Sequence, residues 1–181
     1  MSASTLLGAF RRDWAASLSV RFSAAPRAWK EADRISRYLS GYLRGALTDR
    51  HPELTVRHAT ADLSYAVNEL LENAVKYVDG GELGIEVGFD ARHVLLNQST
   101  LSNAAAAKRY QQRMSAMLNS DPTELIVRMV ELRVELGNTE GSGLGLLSLM
   151  ADYGAELAFE FKTVAPGMQR ITTQAHLPLR I

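Results

Sequence analysis

Glu69 and Asn73 stand four residues apart in "NELLENAVKY" (Asn68 to Tyr77), and so do Asn68 and Glu72. Residues at this spacing share one face of an α-helix, so either pair could hold a ligand jointly. A carboxylate can accept a proton or orient a nucleophile. An Asn carbonyl oxygen is a hard ligand suited to Mg²⁺, which keeps waters and phosphate oxygens as its other ligands. Lys76, one turn on, supplies a mobile point cation for phosphate. The same residue types also make the wet side of an ordinary amphipathic helix. A helical wheel, advancing about 100° per residue, separates the pairs. Leu63, Val67, Leu70, Ala74 and Val78 form an apolar stripe flanked by Ala66 and Leu71. Glu69 and Asn73 fall on one shoulder of it, sheltered yet reachable. Asn68 and Glu72 fall round the other side, where solvent is the expected neighbour.

A second stretch, "GNTEGSGLGLLSLM", places Gly137, Gly141, Gly143 and Gly145 ahead of an apolar, helix-like run. Glycines let backbone N–H groups approach a phosphate, and a helix N-terminus favours its charge. A Walker A loop needs Lys-Ser or Lys-Thr after its last glycine, but Leu146-Leu147 follows Gly145. A Rossmann fingerprint needs G-x-G-x-x-G after a strand, and this is G-x-G-x-G after a helical pattern. A flexible connection between helices also fits the loop, although it does not explain glycine at alternate positions before a core helix.

The elements that must position these groups follow from hydrophobic period and turn residues. "LSVRFSA" alternates as a strand, and Pro26 opens a helix to about Leu47 through Trp29, Ile35, Tyr38, Leu39, Tyr42 and Leu43. A second helix spans about Ala61 to Val78, with Thr60 or Asp62 as its cap and Asp79-Gly80-Gly81 as its stop. "ELGIEVGFD" and "HVLLNQS" are strands, followed by helices over roughly Ser102 to Leu118 and Pro122 to Leu136. "LLSLMADYG" is a core helix ending at Gly154, and "ELAFEFK" and "RITTQAHLPL" form a closing hairpin. Strands in adjacent pairs predict an α+β two-layer sandwich: a mixed, mostly antiparallel sheet covered by helices on one face. The segment "LLGAFRRDWAASL" has enough apolar residues for an interface, leaving a homodimer open, or for a core-packed helix.

Composition bounds the chemistry further. The 181 residues are 46% apolar, with Lys+Arg and Asp+Glu balanced at 20 each, so no field points to nucleic acid or a membrane surface. With no cysteine, disulfides and thiolate metal sites are excluded. His51, His58, His93 and His176 lack metal-ligand spacing, and the last two read as strand residues. No stretch has the length of a membrane span or the pattern of a signal peptide, so a cytoplasmic protein is expected.

"ELLENAVKY" and "GSGLGLLSLMADYGAEL", followed by two strands ending in "LPL", resemble the N box and G2 box of the GHKL, or Bergerat-fold, ATPase superfamily. This superfamily includes histidine kinases, anti-sigma-factor kinases, Hsp90-type chaperones and gyrase-type ATPases. The resemblance runs in order from about Leu63 to Leu179. It implies one histidine kinase-like ATPase domain over residues 1–181, with a motif-bearing core at about 61–179 and an N-terminal strand and helix at about 18–47. It implies ATP and Mg²⁺ as cofactors. By the same resemblance Glu69 is the general base, Asn73 the Mg²⁺ ligand, and Lys76 and Tyr77 lie near the phosphates. Gly141, Gly143, Leu144 and Gly145 form the phosphate cradle. The family's Asp-x-Gly-x-Gly box, which reads adenine, is absent from "HVLLNQSTLSNAAAAKRYQQ". Asn97 is the nearest substitute, its carbonyl able to accept the adenine N6–H, although a cap or turn would use Asn97 equally well.

The strand ending in Asn, the two helices and the "GLGL" loop resemble the SiaB-like bacterial group related to anti-sigma-factor kinases. That implies a Ser/Thr protein kinase acting on a small regulatory partner of the anti-sigma-antagonist or SiaC-like type. Such partner-switching systems include an opposing PP2C-type phosphatase. Two alternatives stand beside it: a non-catalytic Bergerat-fold regulator that binds a protein, and a stand-alone histidine kinase catalytic domain.

Overall fold

Period-two burial builds one six-stranded sheet. The computed structural model describes residues 4–12, 16–23, 28–50, 56–77, 82–89, 92–136 and 144–179. The strands are β1 (Ser4–Leu7), β2 (Ala16–Ser23), β3 (Glu82–Phe89), β4 (His93–Asn103), β5 (Glu156–Ala165) and β6 (Met168–Pro178). The helices are α1 (Ala28–Arg50), α2 (Val56–Tyr77), α3 (Ala104–Leu118), α4 (Pro122–Leu136) and α5 (Gly145–Ala151). Ile85 and Val87 of β3, Val94 and Leu96 of β4, Phe159 of β5 and Ile171 of β6 are buried in the same cluster as Leu63, Leu70 and Leu71 of α2. Successive side chains point to opposite faces, so the odd-numbered residues of β4 stand on the side away from the helices.

The strand order is β1-β5-β6-β4-β3-β2, and every described pairing is antiparallel. The expected two-layer α+β architecture forms, but its sheet is not mixed. The connection through α3, α4 and α5 returns the chain parallel to β4, and β6 then inserts between β4 and β5. The parallel relation therefore never becomes a hydrogen-bonded pair.

β1 runs into the first two residues of the segment whose composition suits an interface or a helix, and it is too short to show an alternating pattern. It pairs with the edge of β5, Ser4 opposite Lys162 and Leu7 opposite Phe159. Residues 8–12 then cross the sheet's second face as a strap. Gly8 begins it at φ +72, where a Cβ would also run into the Leu157 carbonyl. Gln174, fully buried, accepts from the Arg11 N–H at 2.7 Å and donates to the Arg11 carbonyl at 3.0 Å.

α1 packs along α2 through hydroxyls as well as leucines. Ser64 Oγ donates to Ser40 Oγ at 2.5 Å, and Ser36 Oγ donates to the Ser64 carbonyl at 3.1 Å. Leu39 and Leu43 are buried, whereas Tyr38 and Tyr42 face outward, so the inward stripe is one position narrower than the sequence pattern suggests. α2 begins at Val56, several residues before Ala61. Thr60 and Asp62 therefore lie inside the helix, where helical backbone angles prevent either from acting as its cap. His58 lies on this helix, while His93 and His176 sit on strands as expected. Asn103 Oδ1 caps α3 by accepting from Ala106 N at 2.8 Å. Asp121 Oδ1 caps α4 by accepting from Glu124 N at 2.9 Å, with Pro122 at the first helical position. Among the described residues, no helix is long and apolar enough to cross a membrane. Val78, the Asp79-Gly80-Gly81 stop and His51 lie outside the described residues.

Candidate functional site

Leu63, Ala66, Val67, Leu70, Leu71 and Ala74 are the buried positions of α2, which fixes how the helix is turned. Asn68, Glu69, Glu72 and Asn73 are all half-buried in consequence. The two pairs are wired differently. Asn68 Nδ2 donates to Glu72 Oε1 at 2.9 Å, and this half-buried pair is less solvent-washed than the wheel suggests. Asn73 Nδ2 instead donates to the backbone carbonyl of Glu69 at 2.8 Å. That bond directs the Asn73 amide nitrogen into the helix, so Oδ1 is the atom of this side chain that could meet a cation.

Glu69 turns towards α5. A Cβ on Gly145 would collide with Glu69 Oε2, so the carboxylate occupies space that only glycine leaves at that position. Gly145 is buried and is the first residue of α5. Leu144, half-buried just before it, accepts from the Ser148 N–H at 2.8 Å through its carbonyl. Thus the structure brings together Glu69, Asn73, Leu144 and Gly145 from two distant stretches of sequence. Gly141 and Gly143 lie outside the described residues, as do the side chains of Lys76 and Tyr77.

Tyr65, one turn before Glu69, completes this corner. Its phenol lies near enough to Glu69 and Ser148 for both to act on its ionisation. Its ring stacks on Tyr153 with centroids 5.0 Å apart and planes at 19°. Burial, and then the neighbouring Glu69 charge, push the phenol above its usual pKa of 10.0. Reading the sequence does not single out Tyr65; its place four residues before Glu69 is the available signal.

Asn73 also lines a cleft of about 330 Å³ between α2, α3, α4 and α5. Met114, Met117, Met129 and Leu146 make its walls apolar, while Arg113 and Arg128 add positive charge. Apolar walls with convergent cations suit a ligand carrying a ring and an anion. On its other side Asn73 meets a much smaller cavity of about 10 Å³ with Gln98, Thr100, Tyr110 and Thr173.

Asn97 is not part of this constellation. It pairs with Glu86 and Gln174 on the face of the sheet opposite α2, and its Oδ1 accepts from Gln174 Nε2 at 3.1 Å. One step along the strand changes face, so Gln98 is the residue that points under α2. Gln98 is 2% exposed, and its Nε2 has no hydrogen-bond partner among the described residues. Placing the odd and even residues of "HVLLNQST" by the strand period would have found it.

The residues suit a nucleotide with Mg²⁺ in part. The described residues hold no cluster of three or more His, Cys, Asp or Glu that could build a complete metal cage. A single Asn oxygen beside a phosphate is nevertheless an ordinary Mg²⁺ arrangement, because waters and phosphates complete the shell. The unpartnered Gln98 Nε2 is a donor of the kind a purine edge would satisfy.

No family model matches this chain, and no curated protein matches it. Among solved structures it is similar to a chain of the crystal structure of the SiaB–SiaC complex from Pseudomonas aeruginosa. The TM-score is 0.66 and the identity 18%, covering 90% of this chain and 91% of that one. At that identity the likeness is one of fold.

Proposed function

We propose that this chain is an ATP-binding GHKL-type Ser/Thr protein kinase that phosphorylates a small regulatory protein in a bacterial partner-switching system. The observation that carries this reading is the meeting of Glu69 and Asn73 on α2 with the glycine start of α5, beside a cleft with two arginines. The fold likeness to a chain from a complex of SiaB with SiaC supports a regulatory protein as partner. Asn73 Oδ1 holds Mg²⁺, and the backbone from Gly141 through Gly145 cradles phosphate, with Lys76 and Tyr77 nearby. Glu69 orients the substrate hydroxyl and receives its proton. Gln98, rather than Asn97, faces the base. Phosphoryl transfer asks a protein mainly for positioning and charge stabilisation, which this sparse set can supply. A PP2C-type phosphatase opposes the reaction in such a system.

The decisive experiment is calorimetry of ATP with and without Mg²⁺, on wild type and Asn73→Ala, followed by transfer of labelled phosphate to a candidate partner. Wild type binds ATP only with Mg²⁺, and the product is an acid-stable phosphoester. An acid-labile product would instead identify a histidine kinase catalytic domain. A second reading, a non-catalytic protein-binding module, is favoured by one observation: the cavity between Asn73 and Gln98 is nearly filled, with Tyr110 against Phe159 and Phe161. Absence of ATP binding even with partner present would establish that reading.

A further inference from the structure

The face of the sheet away from the helices carries a cavity of about 500 Å³, with Phe10, Arg11 and Arg12 of the strap in its lining. Strand register sets its charged groups in rows. Lys162 of β5 stands opposite Arg170 of β6 on this face. Like charges placed directly opposite are destabilising, so this pair is a cost that an anion between them would relieve. The next row runs Glu160, Thr172, Ser99, Gly84, Arg21 across β5, β6, β4, β3 and β2. Glu160 is the nearest carboxylate to the two cations by register, but it is engaged elsewhere. Its Oε1 accepts from Arg12 Nη2 of the strap and from Ser4 Oγ of β1. Lys162, Arg170 and Arg21 make no ion pair among the described residues.

The floor beside these cations is low and rich in hydroxyls. A Cβ on Gly84 would stand 2.6 Å from Ser99 Oγ, so the serine hydroxyl leans over the glycine, and Thr172 sits opposite Ser99. Glu82 and Glu86 line the cavity on its β3 side. Lys and Arg are donors only and suit phosphate oxygens, whereas ionised carboxylates are acceptors only and suit hydroxyls. We infer that this face binds a small sugar phosphate, its phosphate between Lys162 and Arg170 and its hydroxyls towards Glu82 and Glu86. The volume is ordinary for a small-molecule site. The sheet separates this cavity from the cleft beside Asn73, so the two sites are independent.

Calorimetry of the full chain with ribose 5-phosphate, glucose 6-phosphate, ribose and inorganic phosphate tests this. At least one sugar phosphate binds with a Kd below about 1 mM and at least about tenfold more tightly than inorganic phosphate, while ribose does not bind. Lys162→Gln and Arg170→Gln each weaken the sugar phosphate by about tenfold, the worth of one charge-assisted contact. Because the cation pair opposes folding, Lys162→Gln also raises the melting temperature, which separates lost affinity from lost fold. No binding of either sugar phosphate at about 10 mM, or a melting temperature lowered by Lys162→Gln, overturns the inference. Inorganic phosphate binding as tightly as the sugar phosphates overturns the assignment of a sugar. Binding that is lost in Arg128→Ala but kept in Lys162→Gln and Arg170→Gln puts the ligand in the other cleft and overturns the site.

Discussion

Asn68 with Glu72, and Glu69 with Asn73, are the same two residue types at the same spacing, one step apart on α2. They differ in which type comes first and in what stands opposite. With Asn leading, the amide reaches down to the carboxylate of Glu72. With Glu leading, Asn73 bonds the Glu69 backbone instead, and the Glu69 side chain turns towards Gly145 of α5. Local spacing creates both pairs, but tertiary packing, through the missing Cβ of Gly145, gives one of them a neighbour on another helix.

The sharpest way to break this contrast is to neutralise each carboxylate. Glu69→Gln should lower phosphate transfer by about a hundredfold to ten-thousandfold, the usual range for losing a general base, while ATP binding persists. Glu72→Gln should leave transfer within about twofold of wild type; a large loss there would erase the distinction. Next in size, Asn73→Ala should weaken Mg²⁺-dependent ATP binding by at least about tenfold in calorimetry, consistent with losing an inner ligand oxygen, and Asn68→Ala should not. Gly145→Ala, whose Cβ must displace the flexible Glu69 carboxylate, should lower phosphate transfer by about tenfold or more while changing stability in urea unfolding by less than about 1 kcal/mol.

A pH effect sharpens the same comparison. The folded state raises the Tyr65 pKa above 10.0, so it holds that proton more tightly than the unfolded chain does. The stability it confers is complete below pH 10.0 and is lost as pH climbs through the raised value. Melting temperatures measured at rising alkaline pH should therefore fall less for Tyr65→Phe than for wild type. The smallest effect belongs to the other pair: Asn68→Ala should change stability by only about 0.5 kcal/mol, the worth of one i, i+4 contact.

Much of this is legible in the chain because short-range periodicity writes it there. The apolar stripe on α2, Pro122 at the start of α4 and the strands carrying His93 and His176 all follow from spacing and turn residues. Other features depend on what is opposite. β1 is a strand because the edge of β5 is vacant beside it, not because "STLL" alternates. Asn97 and Gln98 are chemically near-twins, and the face each occupies depends on which residues of β4 meet the helices. α2 starts before both Thr60 and Asp62, the caps that the sequence pattern suggests.

The strap over the second face has a practical consequence for anyone handling this protein. Gln174 is fully enclosed, and its carboxamide reads the Arg11 peptide from both sides, as a neighbouring strand would. Shortening the chain so that it begins after Arg12 would therefore strip a buried amide of two main-chain bonds and remove the strand that covers the edge of β5. An unpaired strand edge is a template for self-association, so such a trimmed protein should show its defect first as aggregation during purification rather than as lost activity.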